Sequence, residues 1–405
     1  MEDIPERHKN ATGGSLALAR RIKFQPPGIR SQGLAARGCA TRIDQAPVHH
    51  PLTLTWRRTC YNLAMSRVLI GFVLAFGLRA ESTPREALLV LSKGDHTLAI
   101  VDPSNFKVVA KAPSGEDPHE VVASTDGKFA YISNYGGGSL NTLTVVDLVN
   151  QKTVKTVDLG ALRGPHGLDY AGGKVWFTAE AAKAIASWDP SRNVIDWIMG
   201  TGQERTHMII VSPDLKRIFT TNVNGPSVSI IEKSTPPPPR PNDKQDDKKG
   251  PPPPRGANWE QTVVPVGRGA EGFDVSPNGK ELWTANAQDG TVTIIDLATK
   301  KATATLQANV GGANRLKFTP DGKHVFISSL SGSGVAILDA ASHKELKRFP
   351  NAGAAGIQMQ PDGKRAYIAS TRGGAVDVVD LKTLEITGKI DAGPQPDGMA
   401  WSIMK

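Results

Sequence analysis

Apolar and polar positions in this chain recur in a unit of about forty residues. Each unit has a short apolar segment, a turn of the Asp-Gly-Lys type, an aromatic-rich segment ending in a small polar residue, and a valine-rich segment ending in Asp. The clearest turns are residues 276–280 (Ser-Pro-Asn-Gly-Lys) and 319–323 (Thr-Pro-Asp-Gly-Lys). Short alternating runs separated by Asp-Gly or Asn-Gly are the strongest local sign of β-hairpins. The pattern therefore predicts successive antiparallel strands.

The repeat also predicts how these strands assemble. A four-stranded sheet cannot bury both of its faces alone, whereas in a ring of such sheets each face packs on the next. We therefore predict an all-β fold, a seven-bladed β-propeller over residues 84–403 with four antiparallel strands per blade. The chain enters the repeat at a second strand, 87–92, and ends after a first strand, 396–402. One C-terminal and three N-terminal strands should thus complete one blade and close the ring, leaving no free sheet edge. The aromatic-rich segment occurs seven times, near Leu88, Phe129, Val175, Arg217, Leu282, Val325 and Ala366.

These motifs resemble those of a known group of propellers. The run Tyr131-Ile-Ser-Asn134, the Pro-Asp-Gly-Lys turns and the Val-x-Ile-Ile-Asp296 segment are similar to the YVTN-repeat propellers, which include the periplasmic YncE-like proteins. The resemblance covers roughly residues 84–403. It implies a propeller but no particular activity, because this scaffold carries binding modules, lactonases, lyases and quinoprotein subunits.

The segment before the propeller has a different character. Residues 1–64 lack periodicity and are rich in Arg, Pro and Gly, so we expect an unstructured extension. It is either a mis-called start, with the true start at Met65, or an unusually long targeting segment. Residues 65–80 have the layout of a secretory signal peptide, with cleavage expected near Ala80. No other segment approaches the length of a transmembrane helix. We therefore expect an exported protein, periplasmic or secreted, with no transmembrane segment in its mature part.

The net charge and the cysteine content limit the kinds of partner and metal site to be expected in the mature part. The net charge is +9, but residues 1–80 hold twelve basic and four acidic residues. The remainder, with 36 basic and 35 acidic residues, is nearly neutral, so its electrostatics do not favour nucleic acid as a partner. Both cysteines, Cys39 and Cys60, lie in the extension. The mature part therefore has neither a disulfide nor a thiolate metal site.

One low-complexity segment interrupts the repeat. Residues 235–256 carry two polyproline runs around a charged centre, between the predicted third and fourth strands of one blade. Such runs favour an extended or disordered loop. Its two interpretations are a docking peptide for a partner with an aromatic groove and a tolerated surface insertion.

One repeat position is rich in polar residues. In five copies it lies nine residues before the turn lysine, where the crossover reaches the innermost strand. His166 is assigned to it by aligning His166-Gly-Leu-Asp169 with Glu271-Gly-Phe-Asp274, and Asp397 by its strand pattern. Every blade should present this position to the same end of the central channel, so we predict a ligand site there for a small molecule or a protein. The ring position itself is occupied by His119, His166, His207, Glu271, Asn314, Ala355 and Asp397. The predicted ligand-binding residues are His119, Glu120, His166, His207, Glu271, Asn314, Arg315 and Asp397.

Three imidazoles with nearby carboxylates suit either general acid-base chemistry or a divalent metal ion. The same residue types also occur on solvated loops because they cap turns. The candidates for a catalytic base are His119, His166 and His207. The candidate metal ligands are His119, His166, His207, Glu271 and Asp397.

Two single blades resemble enzymes. The run Asp117-Pro-His119 is similar to propeller lactonases of the 6-phosphogluconolactonase kind, and Gly164-Pro-His-Gly167 is similar to streptogramin lyases. Each resemblance covers one blade only, and neither family's full set of site residues is present, so we favour a monomeric ligand-binding or protein-interaction module. The first alternative is a lactone hydrolase or lyase, with one histidine as the base and Glu271 or Asp397 holding a cation. The second is a structural protein that displays the proline-rich arm.

Overall fold

The computed structural model describes residues 81–234, 258–351 and 353–405. In this part of the chain, 28 strands form seven four-stranded sheets, and one short 3-10 helix, Gly136–Gly138, follows β5. The closing sheet contains β28 (Pro396–Ile403), β1 (Glu86–Ser92), β2 (Thr97–Asp102) and β3 (Lys107–Pro113). The next three contain β4 (Pro118–Ala123), β5 (Phe129–Asn134), β6 (Thr142–Asp147) and β7 (Lys152–Asp158); β8 (Pro165–Ala171), β9 (Lys174–Ala179), β10 (Ala184–Asp189) and β11 (Val194–Gly200); and β12 (Thr206–Val211), β13 (Arg217–Asn222), β14 (Ser227–Lys233) and β15 (Trp259–Pro265). The last three contain β16 (Ala270–Val275), β17 (Glu281–Asn286), β18 (Thr291–Asp296) and β19 (Lys301–Gln307); β20 (Ala313–Phe318), β21 (His324–Ser329), β22 (Val335–Asp339) and β23 (Glu345–Phe349); and β24 (Ala354–Met359), β25 (Arg365–Ser370), β26 (Ala375–Asp380) and β27 (Glu385–Ile390).

The sheets form a closed ring, which confirms the predicted seven-bladed propeller. The innermost strands β4, β8, β12, β16, β20, β24 and β28 contact one another in this order, and β28 also contacts β4. The predicted seam is present, because β28 pairs antiparallel with β1 and places Leu88 opposite Trp401. One C-terminal strand and three N-terminal strands thus share a sheet.

The core lies between neighbouring blades. Leu88 and Val101 of the closing blade pack with Tyr367 and Val378 of the blade before it. The fully buried Trp283 likewise contacts Phe318 of the following blade, with ring centroids 5.5 Å apart. Because alternate residues of each strand face opposite neighbours, the period-two pattern fills both interfaces of a blade.

Glycines let the innermost strands approach closely. The third residue of four of these strands is Gly167, Gly272, Gly356 or Gly398. A Cβ atom on Gly398 would lie 2.2 Å from the His119 carbonyl oxygen of the neighbouring innermost strand, far inside contact distance. The side chains of the preceding position are thereby brought together around the channel.

Three predicted segments, namely the extension 1–64, the signal peptide 65–80 and the insertion 235–256, lie outside the described residues. The strands that flank the insertion, β14 and β15, are the third and fourth of their blade, as expected. Among the residues that the structure describes, no helix has the length and apolar character needed to cross a membrane.

Candidate functional site

The second residue of every innermost strand lines one cavity of about 400 Å³ at an end of the channel. The structure therefore brings the predicted ring together, although its members come from seven separate blades. Six of the seven are polar, and Ala355 is the apolar member. The ring consists of His119, His166, His207, Glu271, Asn314, Ala355 and Asp397.

A residue with left-handed backbone conformation precedes most of the ring residues. Two positions before the ring residue, φ is positive in six of the seven blades, and three of these six residues are not glycine. Asp117 (φ 42°), Arg205 (φ 56°) and Gln395 (φ 54°) adopt a conformation that is costly for a residue with a side chain. Arg205 and Gln395 line the cavity, and Asp117 contacts its wall residue Lys93. The strained positions thus coincide with side chains at the site.

His207 lies between two carboxylates. Its Nδ1 contacts Oε1 of Glu180, and its Nε2 lies 2.7 Å from Oε2 of Glu271 in an ion pair. Burial alone lowers the pKa of His207, but the charges and hydrogen bonds of Glu271 and Glu180 outweigh burial and raise the pKa. Burial also opposes ionisation of Glu271, yet the charge of His207 lowers the pKa of this carboxyl to about 2. Carboxylates therefore lie beside both ring nitrogens of His207.

Two further residues fix the carboxylate of Glu180. The hydroxyl of Tyr135 donates to Oε2 over 2.5 Å, and Nε of Arg205 lies 3.4 Å from the same oxygen. Arg205 also lies 3.8 Å from Oε1 of Glu271. The two carboxylates beside His207 are thus bridged by one guanidinium.

His166 has a different electrostatic environment. It is 2% exposed, and its ring lies 3.8 Å from that of His207 and 4.7 Å from that of His119 between centroids. Burial, followed by the charge of His207, holds the pKa of His166 well below its usual value. Nδ1 of His166 has no hydrogen-bond partner among the described residues. A neutral imidazole with an unused buried nitrogen therefore faces the site.

His119 belongs to a second group of charges on the wall. Nζ of Lys93 lies 2.5 Å from Nε2 of His119, 2.9 Å from Asp117 and 3.6 Å from Asp397. Because an ammonium group only donates, Nε2 of His119 accepts this hydrogen bond. The nearby imidazole of His119 lowers the pKa of Asp117, and Lys93 lowers it further, although burial opposes ionisation of this carboxyl. Lys93 thus joins residues from two neighbouring blades.

The floor of the cavity is an ion pair across the channel. Arg315, on β20, contacts the carboxylate of Glu120, on β4, three blades away around the ring. Arg315 lines both the mouth cavity and a second cavity of about 420 Å³ on the other side, whereas Glu120 lines only the second. Of the two predicted wall residues, Arg315 therefore reaches the mouth and Glu120 supports it from below.

The backbone of the ring is held by hydroxyl groups of the preceding blade. Ser133 donates to the carbonyl oxygen of His166 over 2.8 Å, and Thr178 donates to that of His207 over 2.7 Å. Both hydroxyls occupy the fifth position of a second strand, within the Tyr-Ile-Ser-Asn type of run. The repeat motif thus positions the site as well as the core.

Several residues of the site did not appear among the predicted site residues, and three of them share one repeat position: Lys93, Tyr135 and Glu180. Each directly follows the second strand of its blade, and each backbone N–H donates to the carbonyl of a residue two positions before the ring residue of a neighbouring strand. They therefore form a second register of the repeat, which an alignment of the residues after the second strands would have revealed.

Comparisons with known proteins support the fold. No protein-family model matches the chain, and no curated protein matches its sequence. Among solved structures, it is similar to a functionally unknown protein from Desulfotomaculum acetoxidans DSM 771 (11% identity, TM-score 0.63, covering 79% of this chain and 99% of the other). It is also similar to a "putative 6-phosphogluconolactonase" from Bacteroides uniformis ATCC 8492 (16% identity, TM-score 0.60, 78% and 100%) and to Kuenenia stuttgartiensis hydrazine synthase (18% identity, TM-score 0.55, 70% and 89%). At these identities the likeness concerns the fold alone.

Proposed function

We propose that this chain is an exported binding protein of the YVTN/YncE-like kind that holds a polar small molecule at the mouth of the propeller channel. The observation that carries the proposal is a pair of buried atoms in the cavity wall, Nδ1 of His166 and Oδ1 of Asn314. Neither has a hydrogen-bond partner among the described residues. A buried polar atom without a partner is costly, and a bound ligand that donates hydrogen bonds removes that cost.

The charges of the wall favour a neutral ligand rich in hydroxyl groups. Lys93, Arg205 and Arg315 each contact at least one carboxylate. Hydroxyl groups of a ligand can donate to His166 and Asn314 without displacing any of these carboxylates. The cavity volume of about 400 Å³ lies within the usual range for small-molecule sites, about 300–1,000 Å³. A protein loop inserted into the mouth would use the same contacts.

Calorimetric titration of the purified full chain with sugars, sugar lactones and polyols tests this proposal. The Asn314→Ala variant should weaken binding of the best ligand by roughly tenfold, the equivalent of one hydrogen bond of about 1.4 kcal/mol. Gln358→Ala is the matched control, because Gln358 lies on an innermost strand but lines the second cavity. Equal weakening in both variants, or no binding across the panel, would contradict a site at the mouth.

A second candidate function is lactone hydrolysis. The buried group of His166, Glu180 and His207 favours it, and the name of the Bacteroides uniformis neighbour points to the same chemistry. In this reaction the imidazole of His166 would take a proton from water as its oxygen attacks the lactone carbonyl carbon, and would return the proton to the ring oxygen as the C–O bond breaks. Hydrolysis of a lactone panel, followed by titration of released acid, tests this, and His166→Gln should abolish turnover. If lactones bind without being hydrolysed, binding remains as the function.

Export is part of the proposal and rests on the sequence of residues 65–80. Fractionation of cells that express the tagged full chain should place it in the periplasm or the medium, with a new N-terminus near residue 81. A cytoplasmic chain that retains residues 1–80 would contradict export. Light scattering of the exported protein tests the expected monomer.

A further inference from the structure

We propose that His166, Glu180 and His207 form a binding site for a divalent transition-metal ion, zinc in particular, in the wall of the mouth cavity. One ligand atom from each residue lies within 4.8 Å of the other two, and all three side chains are buried. The proposal deepens the proposed function, on which it rests for the accessible cavity beside the ion.

The donor set selects the class of metal. Two imidazole nitrogens and one carboxylate oxygen are the ligands of many catalytic zinc sites, which keep a further position for water or a ligand. Calcium and magnesium prefer oxygen ligands alone, so two histidines argue against both. His166 and His207 line the mouth cavity, so the open position would face the space where the small molecule is held.

One of the three residues also has a buried ring nitrogen without a partner in the described part of the chain. Nδ1 of His166 is buried and has no hydrogen-bond partner among the residues that the structure describes. The side chain is held on both sides, by the ring of His207 at 3.8 Å and by that of Tyr135 at 5.0 Å between centroids. The imidazole of His166 is therefore held in place before a metal ion binds.

Neighbouring residues hold the side chains of His207 and Glu180 in orientation, as the residues around zinc ligands usually do. Glu271 lies 2.7 Å from Nε2 of His207, so it orients the ring whose Nδ1 faces Glu180. A carboxylate behind a histidine ligand is the usual second-layer arrangement. Tyr135 and Arg205 contact Oε2 of Glu180 and leave Oε1 directed toward His207.

His119 is not one of the proposed zinc ligands, because its two ring nitrogens face other charged groups. Its Nε2 accepts from Lys93, and its Nδ1 lies 3.6 Å from Asp397. An ammonium group within 2.5 Å of Nε2 disfavours a second cation on that atom. Of the five metal ligands predicted from the sequence, the structure thus selects His166 and His207, adds Glu180, and gives Glu271 a supporting role.

Metal analysis of the full chain tests the proposal. The purified protein is stripped with a chelator, equilibrated with about 10 μM free Zn²⁺, passed through a desalting column and measured for zinc by mass spectrometry. We expect one zinc ion per chain, and a tetrahedral visible spectrum when Co²⁺ replaces zinc. Less than one-tenth of an equivalent of zinc, or a Co²⁺ spectrum typical of six oxygen ligands, would overturn the proposal without any variant.

Variants locate the ion. His166→Ala and Glu180→Gln should each weaken zinc binding by at least about 100-fold, because each removes a ligand. The matched control is His96→Asn, since His96 is exposed, has φ 54°, and Asn tolerates this conformation. Retention of one zinc ion by His166→Ala would place the ion elsewhere and refute the proposal.

Small-molecule binding by a chain that takes up no zinc would refute the metal site and leave the proposed function intact. Zinc uptake without binding of any panel member would support the metal site and contradict the proposed small-molecule function.

Discussion

Replacing Gly398 with alanine tests how the ring of innermost strands is packed. A Cβ atom at this position would lie 2.2 Å from the carbonyl oxygen of His119 and 3.0 Å from Cα of Glu120. Both atoms belong to the backbone of β4, so no side-chain rotation relieves the contact. The strands β28 and β4 would have to separate by about 1 Å to restore an ordinary contact of about 3.4 Å.

Overpacking of this kind typically costs about 1–3 kcal/mol. With an unfolding entropy of about 2.1 cal/mol/K per residue, that cost corresponds to a loss of about 2–5 °C in melting temperature for a propeller of this size. Differential scanning calorimetry of Gly398→Ala measures it. Gly200→Ala is the matched control, because Gly200 ends an outer strand and a Cβ there meets nothing within 4 Å. If the two variants melt at the same temperature, the close packing of the innermost strands is wrong.

The other predictions concern the ion pair, the hydroxyl donors and the seam. Arg315→Met leaves the partly buried carboxylate of Glu120 without its partner and should cost about 1–3 kcal/mol in urea denaturation. The added change Glu120→Leu should restore most of this loss, and an unaltered midpoint in the single variant would refute the pairing. Ser133→Ala and Thr178→Val each leave a buried ring carbonyl without its donor and should each cost about 1–3 kcal/mol, and wild-type stability of both would argue against a clamp between blades. Deletion of residues 396–405 removes β28 and exposes β1, so the chain should aggregate, and a soluble folded monomer on gel filtration would contradict the seam.

The fold could be predicted from the sequence because the same pattern of strands and turns occurs in every blade. Period-two alternation and Asp-Gly turns define the strands, and the out-of-phase ends of the array define the seam between β28 and β1. The ring position was also readable, since residues at equal distance from the turn occupy equal places in their blades. His166 lies one residue closer to its turn lysine and was found by aligning His166-Gly-Leu-Asp169 with Glu271-Gly-Phe-Asp274.

The pairings within the site were beyond this kind of reasoning. Arg315 contacts Glu120 across the ring, 195 residues away, and equal repeat positions do not reveal which side chains meet over the channel. Glu120 was predicted in the mouth, yet it lines the second cavity, whereas Arg315 at the same strand position lines both cavities. Repeat position alone did not distinguish these two residues. Glu180 belongs to a different register of the repeat, so aligning only the ring position passed over it.

A crystal structure of the full chain soaked with the tightest-binding molecule of the panel tests the central claim most directly. In the metal-free chain we predict density for the ligand in the cavity formed by the seven ring residues, with donor groups within about 3 Å of Nδ1 of His166 and Oδ1 of Asn314. Ligand density outside this cavity, or internal partners for both atoms in the bound protein, would contradict the account.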